Sequence, residues 1–204
     1  MSETWVFGYG SLIWNPEFPV AERRLGRASG WRRRFCMYSS LYRGTEESPG
    51  LVLALDRAEG DSCCEGVAFR IEPGTEKESL TRLRERELTG SAYYETMIPV
   101  LTDQGPVDAI TYAIDYTGSH YCGDLALERQ ADIIARARGR NGANRDYLWA
   151  TAASLRDLGI VDPEIETLSA RVHELARSGQ ADPAPAKRPN STARRAKQRW
   201  VAPR

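Results

Sequence analysis

The hydrophobic pattern of this chain changes its period once, and that change limits the folds open to it. Up to about residue 116 the apolar residues come in short runs, continuous or alternating, broken by glycine and proline. From about residue 125 to about residue 177 they recur at helical spacing. Strands come first and helices last, with one helix set among the strands, an order that belongs to the α+β class. The strand candidates are residues 5–9, 31–38, 51–56, 65–71, 93–101 and 107–116. The last two flank Asp103-Gln104-Gly105 and read as a hairpin. Such a set of strands and turns is able to close a small mixed β-barrel, with flanking helices and a C-terminal helical part.

The clearest helix start is Thr75-Glu76-Lys77-Glu78. It reads as a capping box, with Thr75 accepting from the backbone and Glu78 reaching back. Leu80 and Leu83 give this helix a buried side, and it should run toward Glu87 and stop near Gly90. Residues 125–136 and 144–158 follow as amphipathic helices. Asp162-Pro163-Glu164 opens a third, with a cap, proline at the first position and an early acid.

After residue 178 the pattern collapses. Pro183, Pro185 and Pro189 punctuate a run of alanine, lysine and arginine in which Trp200 is the only large apolar group. Residues 1–178 are expected to form the domain and 179–204 a basic, disordered tail. Residues 181–204 carry seven basic residues and one acid, so the neutral chain divides into a tail of +6 and a body of −6. An acidic body gives no reason to expect nucleic acid as its partner, and the tail's partner is left open.

The four cysteines, Cys36, Cys63, Cys64 and Cys122, include no CxxC pair, and the histidines are only His120 and His173. No zinc ligand set assembles from them, so free thiols in a reducing cytosol, no metal and no cofactor are expected. Met1-Ser2-Glu3-Thr4 lacks the basic and apolar regions of a secretory leader. No window approaches 18 apolar residues, so a cytoplasmic location without membrane contact is expected.

Two segments offer chemistry. In Phe7-Gly8-Tyr9-Gly10-Ser11-Leu12, glycines at a strand end let the backbone approach a ligand and expose its N–H groups. This is not a dinucleotide fingerprint, because Ile13 stands where the third glycine belongs, and no Gly-Lys-Ser/Thr follows to make a phosphate loop. In Arg84-Glu85-Arg86-Glu87-Leu88-Thr89-Gly90, alternating charges usually form a solvated helix face. A functional version needs one carboxylate turned inward, where desolvation raises its pKa and makes it a usable general acid or base. Both Glu85 and Glu87 qualify by position. Ser11 and Cys36 lack an evident histidine partner for nucleophilic catalysis. What remains is a glycine loop able to hold a small charged molecule, and a carboxylate.

At this point the residues resemble a known family. Residues 5–16, Trp5-Val6-Phe7-Gly8-Tyr9-Gly10-Ser11-Leu12-Ile13-Trp14-Asn15-Pro16, are similar to the opening of ChaC-type, glutathione-specific γ-glutamylcyclotransferases. The similarity continues through Trp31-Arg32-Arg33-Arg34-Phe35, Tyr42-Arg43-Gly44, Pro49-Gly50, Gly66-Val67-Ala68-Phe69 and Gly142-Ala143-Asn144-Arg145-Asp146-Tyr147-Leu148. It spans about residues 4 to 175 and leaves out the tail. The resemblance implies the γ-glutamylcyclotransferase fold and a cofactor-free cleavage of glutathione into 5-oxoproline and cysteinylglycine. It implies substrate binding by Val6, Phe7, Gly8, Tyr9, Gly10, Ser11 and Leu12, with Tyr93 and Tyr147. For the acid-base group it favours Glu87 over Glu85, from the preceding Arg86 and the spacing to Tyr93. The segment 88–92 departs from the family's usual Thr-Gly-x-Tyr pattern.

Overall fold

The computed structural model describes residues 3–88 and 92–179. The expected helix stop at Gly90 and the expected disorder of the tail beyond residue 179 lie outside these residues.

Strand β1 (Trp5–Gly8) is buried along its whole length and runs into a single 3-10 turn at Ser11–Ile13. Then come β2 (Val20–Ser29), β3 (Trp31–Ser39), β4 (Gly50–Arg57) and β5 (Cys63–Ile71). Helix α1 (Glu76–Glu87) precedes the hairpin β6 (Tyr93–Thr102) and β7 (Gly105–Ile114). The rest is helical: α2 (Leu127–Arg136), then the two-residue strands β8 (Arg138–Gly139) and β9 (Gly142–Ala143), then α3 (Asn144–Asp157) and α4 (Pro163–Arg177).

The strands close on themselves. β1 pairs with β5, β5 with β2, β2 with β6 and β6 with β7, and β7 returns to β1 in parallel. This is a five-stranded barrel, and closure removes its open edges. The β3–β4 hairpin joins it through one parallel pairing, Leu55 with Ala113. On its far side β4 packs against α2 and α3, which pack with α4. One continuous core therefore runs from Phe7, Phe69 and Tyr112 in the barrel to Ile134, Leu148 and Leu155 in the helices. Each such side chain contributes about 1.5–3 kcal/mol of burial free energy.

The edge of β7 that faces away from β6 is divided. β1 takes Ala109 and Ile110, and β4 takes Ala113. Over the gap, side chains replace the ladder. Thr111 Oγ1 donates to the Phe7 carbonyl at 3.1 Å, and the Tyr9 hydroxyl donates to the Tyr112 carbonyl at 2.8 Å. The seam where β1 and β4 part is where the glycine loop leaves the barrel.

Two sequence expectations need correction. The capping box at Thr75 does not form. The Thr75 hydroxyl donates to the Glu72 carbonyl at 2.8 Å, and Glu78 pairs with Arg82 one turn on. The Gly74 N–H is met by Glu76 instead, at 2.8 Å. β2 was absent from the strand candidates because its half-buried positions include Glu22 and Arg24 rather than apolar residues. Those two pair at 2.6 Å, Glu22 reaches Arg70 at 3.0 Å, and the Arg24 guanidinium lies 4.5 Å from the Trp5 ring centroid.

Candidate active site

Gly8 ends β1 in a space where a side chain would be crowded. A Cβ there would come within 3.0 Å of both Leu12 Cβ and the Phe69 ring. The chain therefore folds back tightly, with Ile13 N–H bonded to the Gly10 carbonyl at 2.9 Å and Asn15 N–H to the Ser11 carbonyl at 3.0 Å. Arg33, buried on β3, holds the loop from behind. It donates to the Tyr9 carbonyl at 2.6 Å and to the Glu65 carbonyl, and it pairs with Asp162 at 2.8 Å.

Beside this loop lies a narrow cleft of about 40 Å³ lined by Tyr9, Gly10, Ser11, Leu12, Leu53, Glu87, Tyr93, Tyr112 and Tyr147. Glu87 reaches it from the last position of α1. It stands one helical turn after Leu83, which is buried in the core, so the two share a face. Its side chain is 16% exposed. Glu85 points to the opposite, solvent side of the helix and does not line the cleft. Burial pushes the Glu87 carboxyl above the ordinary glutamate range. Arg86 opposes that rise, and Glu17 adds to it.

The tyrosines surround this carboxylate. Tyr9 and Tyr93 are held well above the usual phenol value, chiefly by burial, with Glu87 a further cause at both. Burial likewise raises Tyr112, and pushes Tyr147 up to about 12. All four stay protonated at neutral pH, and the protons of three are already used. Tyr9 donates to the Tyr112 carbonyl at 2.8 Å, Tyr93 to the Leu53 carbonyl at 2.8 Å and Tyr112 to Glu95 at 3.1 Å. Their oxygens retain lone pairs, so this side of the cleft suits a donor such as an amine.

Of the residues expected at the site, Tyr9, Gly10, Ser11, Leu12, Glu87, Tyr93 and Tyr147 line one cleft. Val6, Phe7 and Gly8 stand behind it: Val6 and Phe7 are fully buried, and Gly8 packs on Leu12 and Phe69. Leu53 and Tyr112 were not among the expected residues. Tyr112 carries a signal in the sequence, as an apolar position of the second hairpin strand. Leu53 carries none that separates it from a core leucine. In the sequence Arg86 stands out only as the neighbour of Glu87, yet in the fold it donates to Ser11 Oγ at 2.8 Å.

A larger groove, of about 330 Å³, runs between Arg27, Arg33, Cys63 and Asp162. Arg27 and Arg33 there face Glu65 and Asp162, and Asp162, its most enclosed carboxylate, is already bonded to Arg33 and to the Ile165 N–H. Among the described residues, no helix is long and apolar enough to cross a membrane.

The closed barrel, with its glycine loop and helical layer, has the fold of the γ-glutamyl cyclotransferases. A yeast γ-glutamyl cyclotransferase specific to glutathione has this fold: its crystal structure superposes with a TM-score of 0.78 at 22% identity, over 85% of this chain and 97% of that one. The family model for ChaC-like proteins matches residues 4–175, and the chain belongs to that family. Relatives include the glutathione-specific γ-glutamylcyclotransferase of Escherichia coli, 37% identical over 84% of this chain and 73% of that protein. Glutathione-specific γ-glutamylcyclotransferase 1 of Danio rerio is 36% identical over 76% of this chain and 80% of its own length.

Proposed function

We propose that the protein is a glutathione-specific γ-glutamylcyclotransferase that releases 5-oxoproline and cysteinylglycine, with Glu87 as its acid-base group. Glutathione as substrate is supported by the relatives named above. Glu87 is supported by its place as the only acid lining the cleft among the described residues.

The reaction asks little of the protein. The α-nitrogen of the γ-glutamyl group attacks its own γ-carbonyl carbon and closes a five-membered ring. Glu87 takes the proton that this nitrogen loses. The bond between the γ-carbon and the cysteinyl nitrogen then breaks, and the protonated Glu87 returns a proton to the leaving nitrogen. Because nucleophile and electrophile belong to one molecule, holding the chain folded supplies much of the rate. Tyrosine oxygens next to Glu87 accept from the amine. The loop at Gly10, Ser11 and Leu12 faces the carbonyl and carboxylate oxygens, and N–H donors aimed at the developing oxyanion stabilise it. Burial of Glu87 raises its proton affinity toward neutrality, as one group serving as both base and acid requires.

The test is incubation of the purified protein with millimolar glutathione, with both products read by mass spectrometry and Glu87→Gln run in parallel. Both products from wild type and none from a folded Glu87→Gln are expected. Turnover by Glu87→Gln would remove the assignment of the base. Cyclisation of γ-glutamyl-alanine with glutathione left intact would move the substrate.

A further inference from the structure

Arg86 has no task in the scheme above, yet its guanidinium touches both halves of the site. Nη2 donates to Ser11 Oγ at 2.8 Å, and Nη1 donates to the Asn15 carbonyl at 2.9 Å and lies 3.3 Å from Glu17. Nε stands 3.1 Å from Glu87 Oε1. One planar group, 23% exposed, thus sets the glycine loop and the carboxylate at fixed places relative to each other.

The contact with Ser11 has a consequence for polarity. A hydroxyl has one proton and two lone pairs. Arg86 occupies an acceptor position on Ser11 Oγ, and its charge makes the Ser11 proton a better donor. Ser11 is thereby suited to an oxygen acceptor and unsuited to an ammonium. Across the cleft the preference is reversed, since the Tyr9 and Tyr93 protons are committed to backbone carbonyls and Glu87 is an acceptor when ionised.

We propose that Arg86 is a positioning residue that fixes the direction of the γ-glutamyl group in the cleft. Its α-carboxylate turns toward Ser11 and its α-amine toward Glu87. The inference rests on the reading of Glu87 as the acid-base group. The groups that face Glu87 are Arg86 on its own helix, Glu17 on the loop before β2, and the phenols of Tyr9, Tyr93, Tyr112 and Tyr147. Among them Arg86 is the only cation.

The experiment compares wild type, Ser11→Ala, Arg86→Met and Arg86→Lys across pH. Substrates are glutathione and its analogue with an α-carboxamide in place of the γ-glutamyl α-carboxylate. Wild type is expected to favour the carboxylate by about tenfold or more in kcat/KM, and Ser11→Ala and Arg86→Met to lose most of that preference. Arg86→Met is also expected to shift the acid limb of kcat/KM to higher pH, because burial and Glu17 then act on Glu87 unopposed. Arg86→Lys restores the limb through its charge but not the preference, which needs the fork. A folded Arg86→Met that keeps both the preference and the limb overturns the proposal. If Arg86→Met fails to fold, an Arg86→Lys variant with the full wild-type preference overturns it. Glu87→Gln is run beside them. Its turnover would remove the base while leaving the carboxylate preference readable, so the two failures are distinguished.

Discussion

At the scale of the residue, Glu87 is held where the fold disfavours its charge. Burial raises its folded pKa above the unfolded value, so between those two values the folded state binds more protons than the unfolded one. Its contribution to stability is therefore greatest below the unfolded pKa and is lost as pH rises through the folded pKa. Two outcomes follow from the same shift. The acid limb of kcat/KM should fall above the ordinary glutamate range of about 4.3. Glu87→Gln, which stays neutral at every pH, should melt at a higher temperature than wild type at pH 7 while losing turnover. Thermal melts at pH 4 and pH 7 check this, since the advantage of the glutamine should shrink at the lower pH. An equal melting temperature at pH 7 would mean that the carboxylate carries no burial cost. That Glu87 rather than Glu85 faces inward was partly legible in the sequence. Leu83 is buried and Glu87 follows it by one turn, whereas Glu85 falls on the other side. The contacts of Arg86 were not legible, because they join a helix end to a loop that lies far from it in sequence.

At the scale of the element, the helical half is tied to the glycine loop through α4. Asp162 caps that helix by accepting from Ile165 N–H at 3.1 Å, and its other oxygen pairs with Arg33 at 2.8 Å. Arg33 in turn donates to the Tyr9 carbonyl. Asp162→Ala removes the cap, worth about 1 kcal/mol, and leaves a buried cation short of its anion. Breaking a buried pair from one side costs about 3–5 kcal/mol. Asp162→Asn keeps a good cap and loses only the charge, so it should retain about 1 kcal/mol more than the alanine variant. Denaturant unfolding separates the two, and equal losses would assign the whole effect to the ion pair. The sequence marked this helix start plainly, through Asp162-Pro163-Glu164, because a cap is a local device. It hid β2, whose alternation is carried by Glu22 and Arg24, side chains that pair with each other and with partners on β5 and β1. It offered a capping box at Thr75 because residue types at capping spacing do not determine rotamers. The Thr75 hydroxyl found the Glu72 carbonyl instead.

At the scale of the whole molecule, the question is how much chain the fold requires. The core reaches its last member at Leu175 on α4, and the family match ends at residue 175. The barrel closes through β1 and β7, and the cleft is lined by residues 9 to 147. The described contacts thus form a complete barrel, helical layer and cleft by residue 179. We propose that residues 1–178 are the folded unit and that the basic segment after it adds nothing to catalysis. A chain ending at residue 179 should then melt within about 2 °C of the full chain, because a change of 1 kcal/mol would move a domain of this size by about 2–4 °C. Its kcat/KM for glutathione should match as well. The comparison is made at low and at moderate salt, since the segment removed carries +6 against a body of −6. A basic segment held to an acidic body by charge alone would stabilise the full chain at low salt, and that advantage would vanish at physiological ionic strength. A difference that survives salt would instead point to apolar docking, with Trp200 the residue to replace first. Loss of folding on truncation would place the domain boundary beyond residue 179.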